Sequence, residues 1–522
     1  MKKNNPIPIV DLFAGPGGLG EGFSAYENGA MFKILVSAEM ETSAHQTLTL
    51  RAFFRKLKIK GGNSLDCYYR FCNGESSVAY DESTTKEWEE AKLEAKQIEL
   101  GTIVGDEILN KAILDSKLGI KKPWVLIGGP PCQAYSLVGR SRNVGNVHYK
   151  PENDPRHFLY KEYLEIIQKY KPTIFVMENV KGILSSKING KKVFHGILSD
   201  LSDPDLALKQ EPSGYKYKIY SLVNPAFYQA GMDPETFNAT DFILKAEEYG
   251  IPQARHRVIL LGVRDDLDKL PTQLEKTAPV VVRDVINELP VLRSKLSKGG
   301  IDSAESWTAI VRQHIQELRE EASNTTGLEE LTKVLKVLES KDRNSFGPGG
   351  LRVEFNKRNY NKKKSNKPTI NNWYEDDMLN VWLNHETRGH MTGDLRRYLY
   401  ASAFATAYKH SPKGHEEYTL VGLRPDHANW ESGKFSDRFR VQLWDKVATT
   451  VTSHISKDGH YFIHPDPNQC RSLTVREAAR LQTFPDNYFF RGNRTQQLHQ
   501  VGNAVPPLLA FKIAHIVKNL LS

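Results

Sequence analysis

The chain has 522 residues and a net charge of +9, with 39% hydrophobic and 25% charged residues. That length allows roughly two to four domains, and the composition is that of a soluble globular protein. Four cysteines (Cys67, Cys72, Cys132, Cys470) are too few for a disulfide scaffold. No second Cys/His pair follows Cys67 and Cys72 at zinc spacing, so no metal site is expected. No apolar run approaches the ~18 residues of a membrane span, and no signal-peptide pattern follows the first residues. A cytoplasmic protein with no membrane partner is expected.

Residues 1–50 predict strand, Gly-rich turn, helix, strand, helix. Ile7–Phe13 is the first strand, with Pro8 tolerable near its start. Gly15–Gly18 form the turn, and a helix runs through Phe23 to about Tyr26. Phe32–Val36 is the second strand, and Glu39 falls just past its end. This pattern opens a doubly wound, mostly parallel α/β sheet. Residues 51–100 are polar and locally acidic (Glu87, Glu89, Glu90, Glu94) and read as an inserted helical excursion.

The α/β rhythm resumes with a strand at Trp124–Ile127, a helix at Tyr160–Tyr170 and a strand at Thr173–Met177. Tyr215–Tyr220 alternates as a half-buried strand does, and Arg257–Val263 is its expected antiparallel neighbour. From Asp265 to about Gln469 the alternation is lost to long polar helices (Trp307–Leu338) and a Trp/His/Arg-bearing stretch (Trp373–His390). Thr474-x-x-Glu477 then opens a capped helix, and Val501–Pro507 leads into a closing apolar helix. The expected domains are 1–265 plus 497–522, with the insertion at about 51–100, and a second, smaller domain at 266–496. The positive charge is compatible with a polyanionic partner. It is densest at Lys357, Arg358, Lys362, Lys363, Lys364 and Lys367, a solvated loop unless a nucleic-acid groove lies beside it.

The apolar run Trp124–Ile127 ends in Gly128-Gly129-Pro130-Pro131-Cys132-Gln133, which presents one thiol on a rigid turn. Met177-Glu178-Asn179-Val180 ends the next strand in an acid and an amide. Cys132 and Glu178 are thus expected at the carboxyl edge of the sheet, where α/β folds bind ligands. A thiol of ordinary pKa, about 8.5, needs a helix dipole or a nearby arginine to form a useful thiolate. In Gln253-Ala254-Arg255-His256-Arg257, strand alternation puts Gln253, Arg255 and Arg257 on one side. Two arginines at a buried strand entrance are costly unless they bind anions or acceptors, a structural ion pair being the plain alternative.

Asp11-Leu12-Phe13-Ala14-Gly15-Pro16-Gly17-Gly18 lets backbone approach a ligand at a helix N-terminus. It is not the Gly-x-Gly-x-x-Gly of dinucleotide folds. Glu39 is placed to accept both ribose hydroxyls of an adenosine, unless it is a plain surface carboxylate, and Phe13 to touch the same nucleoside.

Taken in order, these blocks resemble a DNA (cytosine-5)-methyltransferase of the bacterial type. The set is Asp11–Gly18, Glu39, Gly129–Gln133, Glu178–Val180, Gln253-x-Arg-x-Arg257, Arg476-Glu-Ala-Ala-Arg-Leu-Gln-x-Phe-Pro485 and Gly502-Asn-x-Val505. The resemblance covers roughly the first 265 and last 50 residues; in the middle only Thr449-Thr450-Val451 aligns, beside the recognition loops. It implies an S-adenosylmethionine-dependent methyltransferase fold whose second domain recognises the DNA target. It implies catalysis by Cys132, Glu178, Arg255 and Arg257 on a flipped cytosine of double-stranded DNA.

Cofactor contacts carry over to Phe13, Gly15, Pro16, Gly18, Glu39, Met40, Pro130 and Leu159, with Asn503 and Val505 closing the pocket from the far end of the chain. Asp106 is the counterpart of the family's adenine-contacting acid. DNA contacts fall to Gln133, Ser136, Arg140, Arg142 and Thr450, within a phosphate-contacting loop at 134–153 for the middle three. Arg388, Arg438, Arg440 and His454 are candidate DNA or structural residues of the recognition domain. A monomer working beside a restriction endonuclease of the same site is the implied biology.

The tRNA-methylating branch shares the catalytic blocks, but the large basic recognition segment argues against it. Intact Cys132, Glu178 and Arg257 argue against a catalytically dead DNA-binding regulator. A nicotinamide oxidoreductase leaves Pro-Pro-Cys-Gln unexplained.

Overall fold

The structure is a computed structural model that describes residues 5–130, 159–188, 190–236, 238–297, 302–355, 367–425 and 438–522. The chain divides into two units, the first comprising Met1–Tyr68, Val78–Ala278 and Ala504–Ser522, the second Tyr69–Ser77 and Pro279–Asn503.

The first unit is built on a nine-stranded sheet. Its strands are β1 (Ile7–Leu12), β2 (Phe32–Glu39), β3 (Ala95–Gln97), β4 (Val125–Gly128), β5 (Ile174–Val180), β6 (Tyr217–Tyr220), β7 (Phe227–Tyr228), β8 (Ile243–Lys245) and β9 (His256–Arg264). They lie in the order β3-β2-β1-β4-β5-β9-β6-β7, with β8 also on β9. Strands β1 to β5 pair in parallel, whereas β9 runs antiparallel to β5 and to β6. This is the doubly wound, mostly parallel α/β architecture expected from the sequence. The predicted β2 stops at Val36, but Ser37 and Ala38 are small enough to continue the pairing with Asp11 and Leu12, and the strand runs on to Glu39.

Parallel strands covered on both faces read as continuous apolar runs, and β1, β4 and β5 do. Val10, Leu12, Leu126, Phe175 and Met177 enter one core with Tyr163 and Ile167 of α4 (Leu159–Tyr170). Ile9, Ile127 and Val176 enter the other with Leu19 and Phe23 of α1 (Gly18–Ala25) and Leu509, Ile513 and Val517 of the C-terminal helix (Pro507–Leu521). Between β2 and β3 lies α2 (Thr42–Lys60), and between β3 and β4 lies α3 (Ile103–Asp115).

Two glycines let α1 and the C-terminal segment touch. A Cβ at Gly22 would stand 2.3 Å from the Pro507 carbonyl oxygen, and one at Gly18 2.2 Å from that of Val505. The stretch Arg494–Leu521 is apolar and long enough by composition to cross a membrane. Pro506 and Pro507 divide it into two helices, and the second buries its apolar side in this core.

The second unit packs α5 (Ala304–Ser323), α6 (Glu329–Glu339) and α7 (Thr392–Tyr408) around Trp307, Val311, Leu335 and Leu399. An antiparallel ribbon pairs β10 (Gly349–Glu354) with β11 (Val381–Glu386). The predicted capping box is present: Thr474 Oγ1 accepts from Glu477 N, and Glu477 Oε2 accepts from Thr474 N, opening α8 (Val475–Leu481). Three buried arginines brace it. Arg471 forks onto Glu477, Arg476 donates to the carbonyls of Leu383 and Tyr488, and Arg480 donates to Glu288 and Asp486.

The division falls at 278/279 and 503/504, where the sequence reading drew 265/266 and 496/497. Beyond β9 the chain still bonds into the first unit, Leu274 N to Leu222 O and Thr277 N to Glu248 O. Part of the insertion also belongs to the second unit. Arg352 donates to the carbonyls of Phe71 and Cys72, and Tyr69 donates to Asp376.

Candidate active site

At the end of β1 the chain turns sharply. Phe13 adopts φ 56°, Gly15 φ 58° and Gly17, which caps α1, φ 97°. A non-glycine residue held in the left-handed region costs about 1–3 kcal/mol and needs surroundings that enforce it. Glu39, at the end of the neighbouring strand, supplies part of that enforcement. Its Oε2 accepts the Gly15 N–H at 2.8 Å and its Oε1 the Glu41 N–H at 2.7 Å. Burial pushes this carboxyl up, and the two backbone donors pull it back.

A carboxylate has about four acceptor directions, so Glu39 keeps acceptor capacity beyond its backbone donors. Met40 beside it is an apolar side chain left 59% exposed. Val505 reaches the same turn through its carbonyl against Gly18. Asn503 lies in the second unit, its amide on the ring of His499.

Strand β3 ends at Gln97, level with Glu39 in the β2 pairing, and Ile98 N bonds Glu39 O at 3.0 Å. Ile98 and Glu99 directly follow the end of β3. Asp106 sits instead in the first turn of α3, accepting the Gly101 N–H at 3.0 Å. Burial and the charge of Asp106 push the Glu162 carboxyl up to about 7. Leu159 opens α4 against Gly101, where a Cβ would lie 3.5 Å from its Cδ2.

Asp11 faces Ser37 across the β1–β2 pairing and is 1% exposed. Neither carboxylate oxygen has a hydrogen-bond partner among the described residues. Burial pushes Asp11 up to about 8; Arg55 opposes the rise, and Glu39 and Glu94 add to it.

The second cluster forms where β4 and β5 end and the antiparallel β9 begins. Antiparallel pairing sets Arg257 opposite Val180 and Ile259 opposite Glu178. Arg257 Nε lies 2.8 Å from Glu178 Oε1. Its N–H is not aimed along the carboxylate, so the contact is charge pairing rather than an aligned hydrogen bond. Arg257 Nη1 donates to His256 O at 2.9 Å.

Gly128 pairs with Met177, which brings Gly129 beside the next residue, Glu178. A Cβ at Gly129 would stand 3.2 Å from Glu178 Oε2, so glycine leaves the carboxylate its place. Arg255 is 2% exposed. Burial and the charge of Arg257 push its guanidinium pKa well down, with Glu178 opposing. The alternation expected across Gln253, Arg255 and Arg257 is broken at Arg255, whose N–H returns to Gln253 O at 2.9 Å.

Pro130 is the last described residue before residues 131–158. Cys132, Gln133, Ser136, Arg140 and Arg142 lie outside the described residues. Thr450 is in the second unit, half-buried, directly after Thr449.

A sequence model described as C-5 cytosine-specific DNA methylase matches residues 101–519. The chain belongs to this family. It is 32% identical to the type II methyltransferase M.Bpa9945I of Bacillus paralicheniformis, over 98% of this chain and 99% of the relative. It is 26% identical to M.DdeI of Desulfomicrobium norvegicum, over 97% of this chain and 87% of the relative. It is 25% identical to M.AgeI of Thalassovita gelatinovora, over 99% of this chain and 100% of the relative. The chain is thus a DNA cytosine methyltransferase. In this methylase Glu39 ends β2, Glu178 lies near the end of β5 and Arg257 near the start of the antiparallel β9, so all three stand at the carboxyl edge of the parallel strands, where an open α/β fold holds its ligands.

Proposed function

We propose that this methylase transfers a methyl group from S-adenosylmethionine to carbon 5 of a flipped cytosine in a specific duplex sequence, through a covalent adduct of Cys132. The observation that carries the reading is the Glu178–Arg257 pair beside Gly129, three residues ahead of Cys132 in the chain.

The residues at the β1 turn fit the cofactor. Glu39 retains acceptor capacity for the ribose hydroxyls, Met40 offers an apolar surface to the adenine, and the Gly15–Gly18 turn brings backbone N–H groups close. S-adenosylmethionine, when bound, supplies an electrophilic methyl and leaves as S-adenosylhomocysteine. Phe13, Pro16, Pro130, Leu159, Asn503 and Val505 complete the proposed contacts. Asp106, in the first turn of α3, is the proposed acid beside the adenine.

The cytosine ring is unreachable inside the stack and is swung out for reaction. The Cys132 thiolate adds to carbon 6 while Glu178 gives a proton or hydrogen bond to N3, so the electron pair of the 5,6 bond moves to carbon 5. Carbon 5 then takes the methyl. A water removes the carbon 5 proton, and elimination returns the thiolate. Arg257 holds Glu178 and contacts the cytosine carbonyl, with Arg255 supporting it. Gln133, Ser136, Arg140, Arg142 and Thr450 contact the DNA. The chain acts as a monomer, and a cognate endonuclease cutting the same unmodified site completes a restriction–modification pair.

Duplex DNA carrying 5-fluorocytosine tests the adduct, since fluorine at carbon 5 blocks the final proton loss. The wild-type protein is expected to form a denaturation-resistant complex and Cys132→Ser none. Equal trapping by both would remove Cys132 as the nucleophile. Bisulfite sequencing of plasmid from an expressing host names the site, and an extract of the source cell that cuts only unmodified plasmid identifies the endonuclease.

A further inference from the structure

Glu178 stands beside Gly129 only while the ends of β4 and β5 keep their spacing, and a side chain from α4 reaches both strands. Tyr163 is fully buried. Its hydroxyl lies 3.0 Å from the Val176 carbonyl oxygen on β5 and 3.2 Å from the Leu126 carbonyl oxygen on β4. A phenol has one hydrogen to donate, so that hydrogen is shared across the two strands. Val176 comes two residues before Glu178, and Leu126 two residues before Gly128. The β4–β5 pairing runs from Val125–Ile174 to Gly128–Met177, so the contact acts over its last rungs.

The ring belongs to an apolar core with Leu12, Leu126, Phe175 and Met177. Phenylalanine would fill the same space, and a buried hydroxyl is costly there unless it is bonded. Burial pushes the phenol pKa well up, so the proton stays on the oxygen and is available to donate. The ring also bears on Gly128, where a Cβ would stand 3.0 Å from Tyr163 Cε2 and 2.6 Å from the Leu12 carbonyl oxygen. Glycine therefore lets the ring come up against the last residue of β4. Elsewhere on α4, Tyr160 donates to Asp200, and Lys169 and Tyr170 donate to Asn110. Those bonds tie α4 to neighbouring helices, whereas Tyr163 ties it to the sheet.

We propose that Tyr163 is a positioning residue for methyl transfer: its hydroxyl clamps β4 to β5 and so holds Glu178 beside Gly129, on the strand end that leads in sequence to Cys132. The proposal rests on the proposed function, which gives Glu178 its part in the reaction. Tyr163 acts through the two strands, from the face of the sheet that α4 covers.

Tyr163→Phe removes the hydroxyl and keeps the ring. Tyr217→Phe is the control, because Tyr217 is a second buried phenol of the same core and donates to Pro172 O at 2.8 Å, ahead of the opposite end of β5. Single-turnover methyl transfer from labelled S-adenosylmethionine to unmodified plasmid is measured at saturating concentrations of both. Rates are taken per active centre, counted by trapping on duplex 5-fluorocytosine DNA, so unfolded protein does not enter them. A misplacement of about 1 Å costs about 10²-fold in rate, so a shift of a fraction of that is expected to slow Tyr163→Phe about threefold to tenfold. Its S-adenosylhomocysteine affinity is expected to stay at the wild-type value. Tyr217→Phe is expected to lower the thermal melt as much as Tyr163→Phe does and to keep the wild-type rate.

A wild-type rate in Tyr163→Phe, or an equal slowing in Tyr217→Phe, makes the hydroxyl a bond of the core only and overturns the proposal while the function stands. A wild-type rate with weakened cofactor binding assigns Tyr163 to the support of Leu159 on α4 and also overturns it. A wild-type protein that neither methylates cytosine nor is trapped on 5-fluorocytosine DNA overturns the proposed function and the clamp together.

Discussion

Glu39 Oε2 accepts the Gly15 N–H at 2.8 Å, so the acid that ends β2 fixes the turn that ends β1. The neighbouring bond, Ala14 N to Ala38 O at 3.0 Å, ties the same two strand ends. One carboxylate thus shapes the glycine turn and, in the proposed function, accepts the ribose hydroxyls as well.

Glu39→Gln tests that double duty. An amide can accept at one end only, and its NH2 group would face the N–H of Gly15 or Glu41. Hydrogen bonds to charged groups are worth about 1.5–3 kcal/mol, so the dissociation constants of S-adenosylmethionine and S-adenosylhomocysteine are expected to rise roughly tenfold to a hundredfold. Titration calorimetry measures this, and wild-type affinity in the variant would separate Glu39 from the ribose.

Arg257→Leu removes the cation 2.8 Å from Glu178. Loss of one electrostatic partner at a reacting centre costs about 10²–10³ in rate. Single-turnover methyl transfer is expected to slow by that factor, with cofactor affinity unchanged. A variant that retains its rate but loses cofactor would move Arg257 out of the chemistry.

Gly22→Ala places a methyl where the Pro507 carbonyl oxygen lies 2.3 Å away and Ala510 Cβ 2.4 Å away. Overpacking of this kind costs about 1–3 kcal/mol. Urea denaturation is expected to show that loss, and cofactor binding is expected to weaken with it because α1 carries the turn. An unchanged midpoint would mean that the C-terminal helix yields freely.

Asp11 supplies a pH test. Its pKa is about 8 in the folded chain and near 3.8 when unfolded, so the folded state binds the extra proton between those values. Stability from this residue is therefore full below about pH 4, falls as pH rises, and levels above about 8. Asp11→Asn has no such proton. The melting temperature of the variant minus that of the wild type is expected to increase from pH 5 to pH 8 and then flatten. A difference that shrinks over that range would reverse the sign argued here.

Much of the first unit was legible because its signals are local. Apolar runs flanked by Gly, Pro and acids mark β1, β4 and β5, and the Thr474–Glu477 box lies within one turn of helix. Arg255 and Arg257 could be read as positioning Glu178 or a substrate carbonyl, but which of them meets Glu178 follows only from the antiparallel register of β9 on β5. Strand β3 could not be read from the sequence, since it is only three residues long and carries no alternation, and the helix that holds Asp106 follows it without a pattern that marks the boundary.

The seam at 278/279 was invisible for a related reason: Leu274 and Thr277 join the first unit by single backbone bonds, not by a patterned element. Tyr69–Ser77 joins the second unit through Arg352 and Asp376, partners about three hundred residues distant in the chain.

The packing of α1 on the C-terminal helix also has a temporal side. Synthesis runs from residue 1 upward, so Gly18 and Gly22 emerge long before Val505, Pro507 and Ala510 exist. Until the second unit has been translated, the apolar side of α1 lacks its cover and the glycine turn lacks the Val505 carbonyl. A nascent chain that has not yet reached residue 505 therefore holds α1 and its glycine turn without the segment that packs against them.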